Sequence, residues 1–235
     1  MTALSGLGRL SVLNAMTQPT GLYRALVRLF LSGSEPFARR CGFVEGRTRY
    51  RQYAENPVPT SSISQQLQQV AQLIQVRGAL GMSRQIFFCS LGGFDTHTQE
   101  LPTQQQLFAE LAPALDAFYK ATVEKTVADQ VTTFTESDFA RTLSPNSYGG
   151  TDHAWGGHHL VMGASVKGGQ LYGKFPTLLP SGPDDAGTKG RWIPTTAVDQ
   201  YAATLAQWFG LPTSQLATVF PNLANFGSTD LGFFG

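Results

Sequence analysis

The chain has 235 residues, 42% hydrophobic and 14% charged, enough for one sizeable domain or a domain with an arm. Seventeen basic and sixteen acidic residues leave a net charge of +1. That lacks the one-sided basic excess of a nucleic-acid binder and the charge of an electrostatic membrane anchor, so small neutral or anionic ligands stay open.

Residues 1–60 carry most of the arginines, among them Arg9, Arg24, Arg28, Arg39, Arg40, Arg47, Arg49 and Arg51, and read as an arm. Residues 1–16 lack the continuous apolar core and small-residue cleavage site of a secretory signal, so no export signal is expected in the chain itself. No run approaches the ~18 apolar residues of a spanning helix. Leu22, Leu26, Leu29 and Phe30 have helical spacing that Gly33 would stop. Pro57 and Pro59, with the Thr60-Ser61-Ser62 that follows, read as a linker into an α/β domain over residues 61–235.

In that domain Ile63, Leu67, Val70, Ala71 and Ile74 form one helical stripe, with Ser62 and Gln65 as a capping box and Gly78 as the stop. Residues 85–91 are short and apolar, as in a strand buried on both faces. Cys89 within them reads as a small buried hydrophobe, and with Cys41 it does not settle the redox compartment. Thr103 and Gln106 predict a second capped helix with Leu107, Leu111, Leu115, Phe118 and Tyr119 inward, and residues 130–134 predict the next strand. Strand, helix, strand at this spacing is a crossover unit, so a parallel sheet covered by helices is expected. Residues 160–162 and 170–172 flank Lys167-Gly168-Gly169, a hairpin signal. Val198, Tyr201, Ala202, Leu205, Trp208 and Phe209 predict a last helix, ended by Gly210.

Ligands of open α/β sheets bind beyond the carboxyl ends of the strands. There the chain reads Gly92-Gly93-Phe94-Asp95-Thr96-His97, then Thr135-Glu136-Ser137-Asp138-Phe139-Ala140-Arg141-Thr142, and soon after Gly149-Gly150-Thr151-Asp152-His153-Ala154-Trp155-Gly156-Gly157-His158-His159. All four histidines lie between residues 97 and 159. Carboxylate oxygen and neutral imidazole nitrogen are the usual ligands of catalytic zinc, and manganese and iron also accept them. Each loop alone has a bland reading. Asp95 could make an Asx turn beside a surface histidine, Asp138 could cap the next segment with Arg141 paired to it, and His158 or His159 could face core or solvent. The three loops together point to one shared site.

These motifs, with Val166-Lys167-Gly168-Gly169-Gln170-Leu171-Tyr172-Gly173, Ile193-Pro194-Thr195-Thr196, Asp199-Gln200-Tyr201 and Val219-Phe220-Pro221-Asn222-Leu223, resemble the secreted bacterial family catalogued as domain of unknown function 1501. The resemblance runs from about residue 62 to residue 226. That family is similar in layout to the alkaline phosphatase and sulfatase superfamily, which implies a three-layer α/β/α fold with a mostly parallel sheet, metal-assisted ester hydrolysis and a periplasmic or secreted setting. By the resemblance Asp95 and His97 hold one metal, Asp138 matches the aspartate of a Ser-Asp-His-Gly turn, and His153 is the late histidine ligand. Phe139 stands where the superfamily has a metal-binding histidine. The nucleophile and an early aspartate of the superfamily have no matching motif, so the chain reads as the C-terminal part of such a protein.

The expectation is therefore a metal-dependent hydrolase-like domain for phosphate or sulfate esters, incomplete as it stands. Its metal ligands are Asp95, His97, Asp138 and His153, with zinc first and manganese, calcium or iron as alternatives. Arg141 clamps the anionic group and Asp152 orients the His153 imidazole. The ligand is a small anionic ester or another small molecule, with no nucleic acid and no membrane span. Association with a missing N-terminal segment or with a second copy is expected of an incomplete sheet. The alternative is a non-catalytic binding or assembly module that keeps a vestigial metal site.

Overall fold

The computed structural model describes residues 61–235, together with the backbone of two strands, β1 (Leu10–Ala15) and β2 (Cys41–Glu45). The helix expected around Leu22 and the linker at Pro57 lie outside the described residues.

Helix α1 (Ser62–Gln75) starts one residue before the expected capping box. The Ser61 hydroxyl accepts from the Ser64 N–H at 3.4 Å, and Ile63, Leu67, Val70, Ala71 and Ile74 are the buried stripe. Strand β3 (Arg84–Ser90) alternates as strands do, Phe87 and Cys89 packing with α1 and Ile86 facing the other way. Burial pushes the Cys89 thiol up to about 12, which removes it as a nucleophile at neutral pH. Helix α2 (Glu100–Glu124) begins earlier than the Thr103–Gln106 pattern predicts. Gln99, in the left-handed region at φ 48°, precedes it without a side-chain cap, and Glu100 puts a negative charge in the first turn, where the helix dipole favours it. Every residue of β4 (Val131–Glu136) is buried.

Two cores lie on opposite faces of β3. One joins α1 and α2 to Phe87, Cys89, Leu91 and Val131. The other joins Ile86 and Phe134 to α3 (Val198–Phe209) and α4 (Leu216–Val219). Gly210 ends α3 at φ 108°, as expected, and a Cβ there would come within 2.7 Å of the Arg84 guanidinium, whose Nε donates to the Phe209 carbonyl at 2.8 Å. Among the described residues no helix is long and apolar enough to cross a membrane.

The expected alkaline-phosphatase-like, three-layer α/β/α domain with a mostly parallel sheet is corrected by the pairings. Within residues 61–235 the ladders are two short antiparallel ones, β4 with β7 (Val161–Met162) and β5 (Ala140–Arg141) with β6 (His153–Ala154), beside four α-helices. β3 and β4, read from the sequence as a crossover pair, share no ladder; the parallel pairings run through the backbones of β1, which lies between them, and β2. A further parallel strand needs a crossover of a dozen or more residues, usually helical. Between β4 and α3 the chain instead has loops rich in glycine and proline, such as Gly149-Gly150, Gly156-Gly157 and Pro180. The expected hairpin is also absent among the described residues: β7 pairs with β4, and residues 170–172 form no strand.

Candidate metal centre

Asp95 and His97 are delivered by the end of β3. The Gln66 amide on α1 pins that end twice, donating to the Ser90 carbonyl and accepting from the Ser90 N–H, each at 2.9 Å. Gly93 then turns the chain at φ 97°, where a Cβ would press on Leu107 at 3.3 Å. Thr96 is buried between its two exposed neighbours, so the short segment is anchored at its middle and presents Asp95 and His97 outward.

His153 arrives from the other side. The β5–β6 ladder places it opposite Arg141. The Thr151 N–H donates to the Thr96 carbonyl at 3.1 Å, which fastens this segment to the Asp95 loop. Asn146 is the hub: its Nδ2 donates to the His97 carbonyl at 3.0 Å and to Asp152 Oδ1 at 3.3 Å, and its Oδ1 accepts from the N–H groups of Tyr148 and Gly150. Gly150 lies so close to the Asp95 loop that a Cβ would sit 2.1 Å from the His97 carbonyl carbon.

The result is one cluster. His97 Nε2 and His153 Nε2 each lie 2.9 Å from Asp95 Oδ1, and one ligand atom from each of the three residues falls within 4.8 Å of the others. The side chains are about half exposed, so the cluster opens to solvent. Partial burial pushes the Asp95 carboxyl up, but hydrogen bonds with His153 and Arg141 and the charge of His97 outweigh it and hold the carboxyl below its usual range.

The donor set fits a divalent ion. Three protein ligands with one open position is the pattern of catalytic zinc, and tetrahedral bonds of about 2.1 Å place ligand atoms about 3.4 Å apart, about half an ångström wider than the two Asp95–histidine separations. His97 Nδ1 lies 3.7 Å from Asp152 Oδ1, beyond hydrogen-bond range, so Asp152 acts on that ring through its charge alone.

Three expected roles change. Asp138 is exposed and does not belong to the cluster. Asp152 faces the His97 ring rather than that of His153, and hydrogen bonding from Asn146 lowers its pKa, aided by Lys189. Arg141 turns inward: Nε donates to Thr151 Oγ1 at 2.9 Å, NH2 to the Thr151 carbonyl, and NH1 to Asp95 Oδ1 at 2.5 Å. It positions Asp95 instead of standing free to clamp an anion. Phe139 stacks on the His153 ring, centroids 4.0 Å apart and planes within 10°. Its ring covers one face of the imidazole.

His158 and His159 stay out of the cluster and stack on Phe175 and Tyr201. Sequence reasoning missed Asn146 and two cations of a later loop. Lys189 Nζ lies 3.6 Å from Asp152 Oδ2, and Arg191 Nε donates to the His153 carbonyl at 3.3 Å. The one available signal was their place beside Gly190, between two acidic residues and the Trp-Ile-Pro-Thr-Thr run.

Residues 45–197 match the family model described as protein of unknown function (DUF1501). No curated protein and no solved structure matches the chain.

Proposed function

The chain belongs to this family of proteins of unknown function, and we propose that it is a metal-dependent hydrolase-like domain that binds one divalent ion and acts on small phosphate or sulfate esters. The convergence of Asp95, His97 and His153 carries this reading. Their order along the chain supports kinship with phosphatases and sulfatases, and a periplasmic or secreted setting is the part of this reading that rests on the family resemblance alone. Zinc suits two imidazoles and a carboxylate best, with manganese, calcium and iron as alternatives. A bound ion there supplies Lewis acidity to an ester oxygen. Arg141 holds Asp95 in place, the Asp152 carboxylate faces the His97 ring, and Phe139 orients the His153 ring by stacking on it.

Elemental analysis of the purified protein, followed by zinc titration of the metal-free form, tests the ion. About one equivalent is expected, with Asp95→Ala and His153→Ala each losing it. Retention by both variants would sink the centre.

A second reading is binding without turnover. Two hydroxyls of these loops are poorly placed to attack: Ser137 Oγ donates to the Phe139 carbonyl at 2.8 Å, and Thr96 Oγ1 is buried away from solvent with no hydrogen-bond partner. Hydrolysis through a covalent intermediate needs an activated nucleophile. Negligible turnover of aryl phosphates and sulfates by the zinc-loaded chain favours binding alone. Robust turnover abolished by Asp95→Ala establishes the hydrolase.

A further inference from the structure

Beside the centre lies a second built feature, the stretch Lys189-Gly190-Arg191. The Asp185 carboxylate accepts from the backbone N–H groups of Ser181, Gly187, Gly190 and Arg191, each at 2.9 Å. Two hydrogen bonds tie the same stretch to the segment after β5, from the Leu143 N–H to the Gly190 carbonyl at 3.2 Å and from the Ser144 N–H to the Lys189 carbonyl at 3.0 Å. The next residue, Trp192, is buried, and Gly190 at φ 73° leaves no room for a side chain against Leu143. A loop held at this many points keeps its two cations in fixed places.

One of those places is at Asp152 and the other at the backbone carbonyl of His153. Arg191 Nε is spent on the His153 carbonyl; among the described residues NH1 and NH2 have no hydrogen-bond partner. Lys189 is half exposed and meets Asp152 at 3.6 Å, close enough for attraction and too far for a firm hydrogen bond. Around the centre and its loop three carboxylates, Asp95, Asp152 and Asp185, stand with three cations, Arg141, Lys189 and Arg191. The charges balance before any ion binds, and a divalent ion leaves a surplus of two. Such a site attracts a multiply charged anion, and guanidinium with ammonium suits a tetrahedral oxyanion.

We propose that Lys189 and Arg191, held by Asp185, form the subsite for the tetrahedral oxyanion of the ligand, in the role that the sequence assigns to Arg141. The inference rests on the metal reading, because an ion held by Asp95, His97 and His153 would set where the anion sits. Preorganisation matters energetically: two long cationic side chains on a locked backbone lose less freedom on binding than the same chains on a loose loop.

Calorimetry separates the two ideas. Zinc is titrated first into wild type, Arg191→Ala, and the double variant Lys189→Ala with Arg191→Ala; sodium phosphate and sodium sulfate are then titrated into each zinc-loaded protein. Arg191→Ala is expected to bind zinc within about threefold of wild type while phosphate affinity falls about tenfold or more, with a larger fall in the double variant and partial recovery in Arg191→Lys. Tighter phosphate than sulfate in wild type assigns phosphate esters; the reverse order assigns sulfate esters. Equal phosphate and sulfate affinities in wild type and double variant would overturn the subsite, as would no binding of either anion to zinc-loaded wild type. If wild type takes no zinc, the metal reading falls, and phosphate titration of the metal-free proteins then decides the subsite: the same loss in the variants keeps it, and no difference removes it.

Discussion

Asp95 and His97 hang from a strand buried between two cores, whereas His153, Lys189 and Arg191 ride on loops between β4 and α3 that have little apolar burial of their own. The first part is fixed by packing: Phe87, Ile63, Leu67 and Ile74 are almost wholly buried beneath the strand that leads to Asp95. The second is fixed by polar contacts through a few hubs, Asn146 holding the His97 and Asp152 segments and Asp185 holding residues 181–191. Packing is cooperative and non-directional, so damage to it spreads through the domain. Hydrogen-bonded loops fail locally, and each hub can be lost without melting the rest.

The contrast is broken most severely from the packed side. Phe87→Ala removes a 1% exposed ring from the core under α1 and α2, and a loss of about 3–5 kcal/mol is expected in denaturant melts. If the loops governed stability instead, that variant would melt nearly as wild type. The seam between the two parts is sharper still in its demands. A Cβ on Gly150 meets backbone of Thr96 and His97, which cannot rotate away, so Gly150→Ala is expected to cost about 3 kcal/mol and to lose zinc. Gly149 beside it, at φ 72°, faces open space, and Gly149→Ala is expected to cost about 1 kcal/mol with zinc binding kept. Equal effects from the two glycines would mean that the seam is looser than these distances say.

How much of this the sequence discloses follows the same division. The stripe of α1, the apolar run of β3 and the Gly210 stop of α3 are legible because burial leaves a periodic trace. Asp95, His97 and His153 are legible because few other roles gather such side chains in glycine loops. Asp138 misled: in the turn before β5 the Ser137 hydroxyl binds the Phe139 carbonyl, and Phe139 rather than the carboxylate lies over His153. The α2 start was displaced because a left-handed Gln99 opens the helix without a cap. The two-residue ladders β5–β6 and β4–β7 are too short for any periodicity to show, so the crossover pattern was carried further than the chain follows it. Lys189 and Arg191 reach the site through the backbone bonds of Asp185, contacts that leave no mark on a neighbouring residue type.

A smaller effect tests the hub at Asp152. Its carboxylate lies 3.7 Å from His97 Nδ1, on the far side of that ring from the proposed ion, and loss of such an outer partner typically weakens metal binding 10–100-fold. Asp152→Asn is expected to lose zinc affinity in that range with an unchanged melt, because the side chain supports no core residue. An equal loss in zinc affinity and in melting temperature would make Asp152 a structural residue only.

The smallest effect is the pH response of the Asp185 loop. Partial burial pushes the Asp185 carboxyl up, but the N–H groups of Ser181, Gly190, Arg191 and Gly187 outweigh it, so the pKa in the folded loop lies below the ordinary 3.8. A depressed carboxylate contributes order that is fully present above 3.8 and is lost as pH falls through the folded value, because the protonated acid accepts these hydrogen bonds poorly. Residues 181–191 should therefore be protected from amide exchange at pH 6 and lose that protection at a pH below the folded value, which itself lies under 3.8, while β3 and β4 stay protected over the same interval. Asp185→Asn should flatten the response, with the loop already partly open at pH 6 and little further change on acidification. The group is exposed and the gain is screened by solvent, so the global melt should hardly move. A loop in Asp185→Asn that matches wild type at both pH values would show that the bonds from Leu143 and Ser144 hold Lys189 and Arg191 without the carboxylate.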